Sequence, residues 1–275
     1  MHTSPYIYEI PGNLNVPTLE EDAKRDLLTR PRSIPPKYFY DATGSDLFEK
    51  ICRTPEYYPT RRENEILRQY GPTIIERVQP TNILEIGSGS SAKTERILDA
   101  CMQIRQRPCY SAFDISSKAL LEAKTRLDKK YSWLDTSLLL GDYEAGFAHV
   151  PRVNGANLVL FLGSTIGNLN PRSAVSMLNE LYNYMSSQDY LLLGYDRVKD
   201  GEILDAAYND DQGLTAEFNL NILNVLNDRL GADFVLDRFE HSASYDTLQQ
   251  QVEVGPPNNS SMSVQFLRML ILRSI

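Results

Sequence analysis

Cysteine is scarce in this sequence: Cys52, Cys101 and Cys109 are the only three in 275 residues, and no two stand in C-x-x-C spacing. That pattern excludes a cysteine metal site and a disulfide framework, and it leaves reduced, packed thiols as the reading. Clustered cations are missing too. Lysine and arginine number 28 against 36 acidic residues, the net charge is -8, and no face-long basic run occurs. A nucleic-acid partner is thereby excluded, because neutralising phosphates requires such clusters, whereas an acidic protein can still receive a small cationic ligand. No apolar run approaches the roughly 20 residues that span a bilayer. The opening "MHTSPYIYEIPGNLNVPT" lacks the basic start and apolar core of a secretory signal. The expectation is a cytoplasmic protein with no membrane partner. Neither an internal repeat nor a low-complexity segment is found. What is present is an ordinary globular composition, 42 % apolar and 23 % charged. The length suits one large α/β domain, alone or with a smaller attachment.

Residues 1–17 read as irregular. "TLEEDAKRDLLTR" opens with Thr18 and Glu21 at capping-box spacing and reads as a helix. "PRSIPPKYFYDATG" carries three prolines and a glycine and reads as a loop. "SDLFEKICRT" is a short helix ended by Pro55. "TRRENEILRQYGPTIIERV" is a longer one, with Thr60 and Glu63 again at capping-box spacing and a break or kink at Gly71-Pro72. From residue 82 short apolar runs, "NILEIG", "YSAFDI", "SLLLGD", "NLVLFLG" and "YLLLGYD", alternate with amphipathic helical patterns. This alternation predicts an α/β fold with a parallel sheet covered on both faces. Ligands of such sheets bind beyond the carboxyl ends of the strands, which here supply Gly87, Asp114, Asp142, Gly163 and Asp196. After Lys199 the alternation stops: "LTAEFNLNILNVLNDRLGA" is helical and "DFVLDRFEHSASYDTLQQQVEV" reads as two β segments.

The stretch "ILEIGSGSSAKTERIL", residues 83–98, admits two readings. Gly87 with Ala92-Lys93-Thr94 nearly spells a triphosphate loop. However, Ala92 replaces the second glycine, and the "LVLFLG" strand ends in Gly163-Ser164 without the acidic residue that helps to hold magnesium. Alternatively, Glu85-x-Gly87-x-Gly89 turns from the first strand into a helix. Asp114 then ends the second strand where an acidic group meets a ribose diol. Asp142, followed by Tyr143, can accept from the exocyclic amine of an adenine. A short loop without a third spaced glycine suits an adenosyl ligand that has no pyrophosphate, such as S-adenosylmethionine. Against both stands a plainer possibility, that Asp114 and Asp142 only cap the turns that follow them.

"PPKYFYDATGSDLFEKICRTPEYYPTRRENEIL", "LEIGSGSSAKT", "FLGSTIGNLNP", "LLLGYDRVKD" and "AYNDDQGLTAEFNLNILNVLNDRLGADF", in this order, resemble the L-histidine Nα-methyltransferase family of ergothioneine biosynthesis. The resemblance covers roughly residues 18–254. It implies a Rossmann-like class I S-adenosylmethionine-dependent methyltransferase domain, residues 61–198, and a second domain, residues 1–60 plus 199–275, that binds the amino-acid substrate. Gly87, Lys93, Asp114, Asp142 and Tyr143 would line the cofactor, with Lys93 meeting the carboxylate of its methionine moiety. Gly163, Asn168 and Tyr208 match positions that hold the amino-acid backbone of the substrate. Tyr40 and Phe48 match aromatics beside the amine and the methyl group, and Tyr57 matches a contact to the imidazole. No metal is implied, and a monomer that takes L-histidine and no macromolecular partner is the expectation.

The residue chemistry agrees with that resemblance. Methyl transfer from a sulfonium is an in-line displacement, so positioning a neutral amine carries much of the barrier reduction. Aromatic faces suit sulfonium and methylated ammonium groups, and an amide with phenols can bind a carboxylate. No catalytic histidine is needed, and His2, His149 and His241, outside the matching motifs, read as surface or structural residues. Most of the sixteen tyrosines read as packing residues. The tail "GPPNNSSMSVQFLRMLILRSI" departs from the family: it holds no Glu-x-Ser element, which in relatives meets the imidazole, and Val254 stands where Met is common. The tail reads as a truncated or frame-shifted end, as a variant with altered substrate choice, or as a segment that completes the sheet in another way. Rival functions are N-methylation of another, aromatic amino acid, a cofactor-binding chain without turnover, and magnesium-dependent ATP hydrolysis that Lys93→Ala would abolish.

Overall fold

The computed structural model describes residues 7–30, 32–255, 262–265 and 270–273, the last two stretches and residue 255 by their strand backbone. The described strands are β1 (Ile7–Glu9), β2 (Asn82–Ile86), β3 (Cys109–Asp114), β4 (Thr136–Leu140), β5 (Asn157–Phe161), β6 (Tyr190–Leu193), β7 (Ser242–Asp246), β8 (Gln251–Gly255), β9 (Met262–Gln265) and β10 (Leu270–Arg273). The described α-helices are α1 (Leu19–Asp26), α2 (Ala42–Ile51), α3 (Tyr58–Val78), α4 (Thr94–Gln103), α5 (Ser117–Lys130), α6 (Pro171–Tyr184), α7 (Gly201–Tyr208) and α8 (Leu214–Leu230). The chain forms two units. One comprises Met1–Val16, Thr60–Tyr195 and Arg268–Ile275, and the other Pro17–Pro59 and Asp196–Leu267.

The first unit is built on a sheet of order β1-β4-β3-β2-β5-β6-β10, parallel from β1 to β6 and closed by the antiparallel β10. Every residue of β2 and β5 is buried, as continuous apolar runs in a doubly covered parallel sheet should be. Alternate side chains feed two separate cores. Ile83, Tyr110, Ala112, Leu158 and Leu160 pack with Leu67 and Ile75 of α3, Ile97 and Leu98 of α4, and Leu120 and Leu127 of α5. Leu84, Ile86, Phe113, Val159 and Phe161 pack on the opposite face with Ala174, Met177 and Leu181 of α6. Chain order runs outward from β2 through β3 to β4 and returns to β5 on the other side of β2. The crevice of such a sheet opens where the order reverses, beyond the carboxyl ends of β2 and β5. This is the Rossmann-like α/β architecture that the alternation predicts.

Three details differ from the sequence reading. Residues 7–9 are not irregular but form β1, whose backbone pairs with residues 138–140 of β4. A three-residue edge strand carries too little pattern to be read. Helix α3 starts at Tyr58, two residues before Thr60, and continues through Pro72. Glu63 is therefore one turn inside the helix and caps nothing. At the far edge, residues 270–273 pair with residues 190–193 of β6, so part of the tail completes the sheet. Residues 256–261, 266–269 and 274–275 of that tail lie outside the described residues.

The second unit holds α1, α2, α7 and α8 with the antiparallel sheet β7-β8-β9. Thr18 and Glu21 form the capping box that their spacing predicts at the start of α1. Asp41 caps α2 by accepting from the Gly44 N–H, so this helix begins before the segment read from the sequence. Ile222, Val225 and Leu226 of α8 make its main core with Ala23, Ile34 and Phe39. The stretch before β7, read as a β segment, contains a 3-10 turn at Leu236–Arg238, and β7 and β8 then pair as a hairpin. Helix α7 was not singled out by the sequence pattern. None of the three cysteines is in a disulfide, and Cys101 is buried.

Candidate active site

In the first unit the turn after β2 leaves the sheet through Gly87 at φ +63° and Gly89 at φ +49°. Both angles lie in the left-handed region that glycine occupies without steric cost. The Gly87 N–H donates to the Phe113 carbonyl at 2.8 Å, which ties the turn to the end of β3. A Cβ on Gly87 would stand 3.7 Å from Thr165 Cγ2 and 3.8 Å from Tyr143 Cε1, so the loops after β4 and β5 come up beside this glycine. A Cβ on Gly89 would meet nothing within 4 Å.

Asp114 ends β3 and accepts the Gly89 N–H at Oδ2, 2.7 Å, and the Ser116 N–H at Oδ1, 2.8 Å. Burial raises its pKa above the usual carboxylate value, and the bonds from Gly89 and Ser116 oppose that shift. Asp142 accepts from the Glu144 N–H at 2.9 Å and starts the 3-10 turn Tyr143–Ala145. Both carboxylates thus do make the capping bonds that the plainer reading foresees. Each has about four lone-pair sites, so acceptors remain for a ligand. The Tyr143 ring meets Phe161 edge-on with centroids 5.6 Å apart.

Lys93 and Thr94 decide against the triphosphate loop. The Thr94 hydroxyl, which would have to face magnesium, is buried and donates to the Glu85 carboxylate, as does the Tyr110 hydroxyl. Lys93 Nζ lies 2.7 Å from Glu63 Oε2. Among the described residues no group of three acidic, His or Cys side chains could hold a metal ion. Gly163 follows β5 at φ +77° and donates its N–H to both Glu63 oxygens, at 2.8 and 3.1 Å. Asn168 closes the 3-10 turn Thr165–Asn168 and is half-buried. Gly87, Lys93, Asp114, Asp142, Tyr143, Gly163 and Asn168 therefore all stand on loops at the carboxyl ends of β2 to β5.

The second unit gathers the other four expected residues into an aromatic cluster. Tyr40 and Phe48 meet edge-on at 5.5 Å, Phe48 and Tyr57 at 6.0 Å, and Tyr57 and Tyr208 at 6.1 Å. Edge-to-face pairs at these distances are favourable because of the ring quadrupole. Phe218, Tyr58 and Lys199 were not singled out as neighbours of this cluster. Phe218 of α8 touches Tyr40 at 5.6 Å and Phe48 at 6.0 Å; its helical spacing signalled burial but not this company. Tyr58 donates to Asp196, while Lys199 Nζ reaches the Tyr58 hydroxyl at 2.8 Å and Asp196 Oδ1 at 2.6 Å. His241 Nε2 donates to the Tyr208 carbonyl at 2.9 Å, and its Nδ1 lies 2.9 Å from Asn219 Nδ2. His241 is thus a structural residue, as its place outside the motifs suggests, and burial lowers its pKa.

Residues 19–270 match the sequence model of the S-adenosylmethionine-dependent, histidine-specific methyltransferases. The chain belongs to this family. It is 42 % identical over 236 residues to a histidine N-alpha-methyltransferase of Mycolicibacterium smegmatis, a match that covers 86 % of this chain and 73 % of the relative. The corresponding enzyme of Mycobacterium tuberculosis is 41 % identical over 236 residues, with the same coverage. Ergothioneine biosynthesis protein 1 of Neurospora crassa is 32 % identical over 205 residues, covering 73 % of this chain and 23 % of that protein. The family match reaches residue 270 and so includes much of the tail that the motif resemblance, ending near Val254, leaves out. No described helix of this family member is long and apolar enough to cross a membrane.

The loops of the first unit fit the family's cofactor. Gly89 leaves open space at the turn. The Asp114 carboxylate beside it is half-buried, and a hydrogen bond that a carboxylate accepts is stronger away from bulk water. The buried Ser88 hydroxyl has no hydrogen-bond partner among the described residues.

Glu85 lies in β2, two residues before Gly87, and its titration is testable. Complete burial drives its pKa from 4.5 up to about 7, against the opposing hydroxyls of Thr94 and Tyr110 and the charge of Lys93. A folded-state pKa above the unfolded one means that the protonated form is favoured by folding. Its stabilising contribution is complete below the unfolded pKa and is lost as pH rises through the folded one. The shift corresponds to about 3 kcal/mol. Denaturant titrations from about pH 4 to pH 8 should show wild type losing stability relative to Glu85→Gln by this order of magnitude; parallel profiles for the two proteins would contradict the assignment.

Proposed function

We propose that this chain transfers methyl groups from S-adenosylmethionine to the α-amine of L-histidine, three times in succession, to give trimethylhistidine (hercynine), a step of ergothioneine biosynthesis. The observation that carries this reading is the span of the family match: residues 19–270 take in the glycine turn with its acidic strand ends and also the aromatic cluster. When bound, the cofactor supplies an electrophilic methyl group on a sulfonium. The protein's task is to hold the amine in line with it, and no acid–base pair is required for the displacement itself.

Each residue then takes the role that the family resemblance implies and its own chemistry allows. Asp114 accepts from the ribose diol, Asp142 from the adenine amine, and Tyr143 with Gly87 borders the adenosyl group. Lys93 meets the carboxylate of the methionine moiety. Gly163 and Asn168 hold the amino-acid backbone of the substrate, for which the Asn168 amide offers both a donor and an acceptor. In the second unit Tyr208 serves the same backbone and Tyr57 the imidazole. Tyr40 and Phe48 present rings to the amine and methyl group, which suit cationic sulfonium and ammonium. Mono- and dimethylhistidine must be rebound for the later transfers.

The reading is tested by calorimetric titration of free amino acids into the chain saturated with S-adenosylhomocysteine. Histidine should bind more tightly than any other. Tyr57→Phe should weaken histidine by about five- to tenfold, the scale of one hydrogen bond, and leave other amino acids unchanged. Equal weakening for all amino acids would sink the imidazole role, and stronger binding of another aromatic amino acid would overturn histidine as the substrate.

A further inference from the structure

Glu63 is one turn inside α3, and three other chain segments of the first unit converge on its carboxylate. Lys93, just before α4, places its ammonium 2.7 Å from Oε2. Gly163, just after β5, donates its N–H to Oε1 at 2.8 Å and to Oε2 at 3.1 Å. Gly194, just after β6, lies so close that a Cβ there would fall 2.1 Å from Oε1. The same Lys93 ammonium packs on Gly163, where a Cβ would stand 2.9 Å from Nζ. The Glu63 side chain is 9 % exposed and that of Lys93 20 %. Charge-assisted bonds in such a setting are short, directional and strong.

We infer that Glu63 is a positioning residue for the amino-acid end of the cofactor: it aims the Lys93 ammonium and fixes the Gly163 backbone. This rests on the cofactor reading proposed above. A lysine side chain has four rotatable carbons and a compact, strongly hydrated charge, so by itself it is a loosely aimed ligand for a carboxylate. The Glu63 carboxylate takes one donor of the ammonium and sets where the remaining N–H groups point. Through the Gly163 N–H it also holds the left-handed turn against which that ammonium rests. Glu63 need not touch the cofactor to do this. Its effect falls on the methionine moiety and, through Gly163, on the substrate backbone, and does not extend to the adenosine.

That confinement gives a readout that a general structural role would not move. S-adenosylhomocysteine carries the amino-acid end, and 5′-methylthioadenosine is the same adenosine thioether without it. Both are titrated calorimetrically into the full chain and its variants. Glu63→Gln keeps the shape and an acceptor for Gly163 but removes the negative charge that faces Lys93. It should weaken S-adenosylhomocysteine about tenfold or more and methylthioadenosine less than about twofold. Gly194→Ala leaves the glutamate in place but drives its Oε1 away by the clash, and it should give the same selective loss. Lys93→Ala combined with Glu63→Gln should cost little more than Lys93→Ala alone, because the glutamate acts through the lysine. Equal losses for both ligands in Glu63→Gln and Gly194→Ala would overturn the inference, as would unchanged affinities. If wild type binds neither ligand, the cofactor reading itself fails and this inference falls with it.

Discussion

Asp114→Ala is expected to weaken binding of S-adenosylhomocysteine by about two orders of magnitude, the largest loss from any single substitution among the cofactor residues. Two effects add. A carboxylate that accepts from both hydroxyls of a ribose makes charge-assisted bonds of about 1.5–3 kcal/mol each. The same oxygens also hold the Gly89 N–H at 2.7 Å and the Ser116 N–H at 2.8 Å. Removing them leaves the glycine turn held to β3 only through the Phe113 carbonyl, so its Gly89 end, which borders the adenosyl group, loses its set conformation. Methylthioadenosine, which contains the ribose, should lose as much as S-adenosylhomocysteine, in contrast to the selective loss foreseen for Glu63→Gln. Calorimetry on both ligands checks this, and unchanged affinity for either would refute the ribose assignment.

Asn168→Ala is expected to raise the KM for histidine by about 10- to 100-fold, the loss of one or two hydrogen bonds to a charged carboxylate. Affinity for S-adenosylhomocysteine should change little. Asn168 is half-buried at the end of its 3-10 turn, and among the described residues its amide makes no capping bond, unlike the side chain of Asn170, which accepts from the Ser173 N–H three residues further on. The substitution therefore removes a ligand contact without uncapping α6. Steady-state kinetics with each reactant varied separately checks the split. Equal weakening of cofactor and histidine would place Asn168 in loop stability and not in substrate recognition.

The first unit was largely legible in the sequence, and the reason is physical. Continuous apolar runs such as "NLVLF" can be satisfied only by burial on both faces, and each run is followed by Gly or Asp where the strand stops. The places of Gly87, Asp114, Asp142 and Gly163 follow directly from that. Short-range spacing was less reliable where tertiary contacts compete. Thr18 and Glu21 do form a capping box, but the same spacing at Thr60 and Glu63 does not, because α3 starts earlier and Glu63 turns to the Gly163 N–H, 100 residues away in sequence. A capping glutamate and a buried hub glutamate carry the same local signal. Phe218, and the pairing of Tyr58 with Asp196 and Lys199, were invisible for a related reason: aromatic and charged residues are common, and only the fold brings Phe218 beside Tyr40 and Phe48 and Tyr58 beside Tyr208. Strands β1 and β10 are short and at the sheet edges, where no two-sided apolar run is needed.

The central claim is tested most directly by mass spectrometry of a turnover mixture that contains the purified chain, S-adenosylmethionine and histidine in competition with the other amino acids. The account predicts trimethylhistidine as the accumulating product, with mono- and dimethylhistidine as passing intermediates and the other amino acids unmodified. A different amino acid methylated in place of histidine, or no methylated product from a chain that binds S-adenosylhomocysteine, would contradict it.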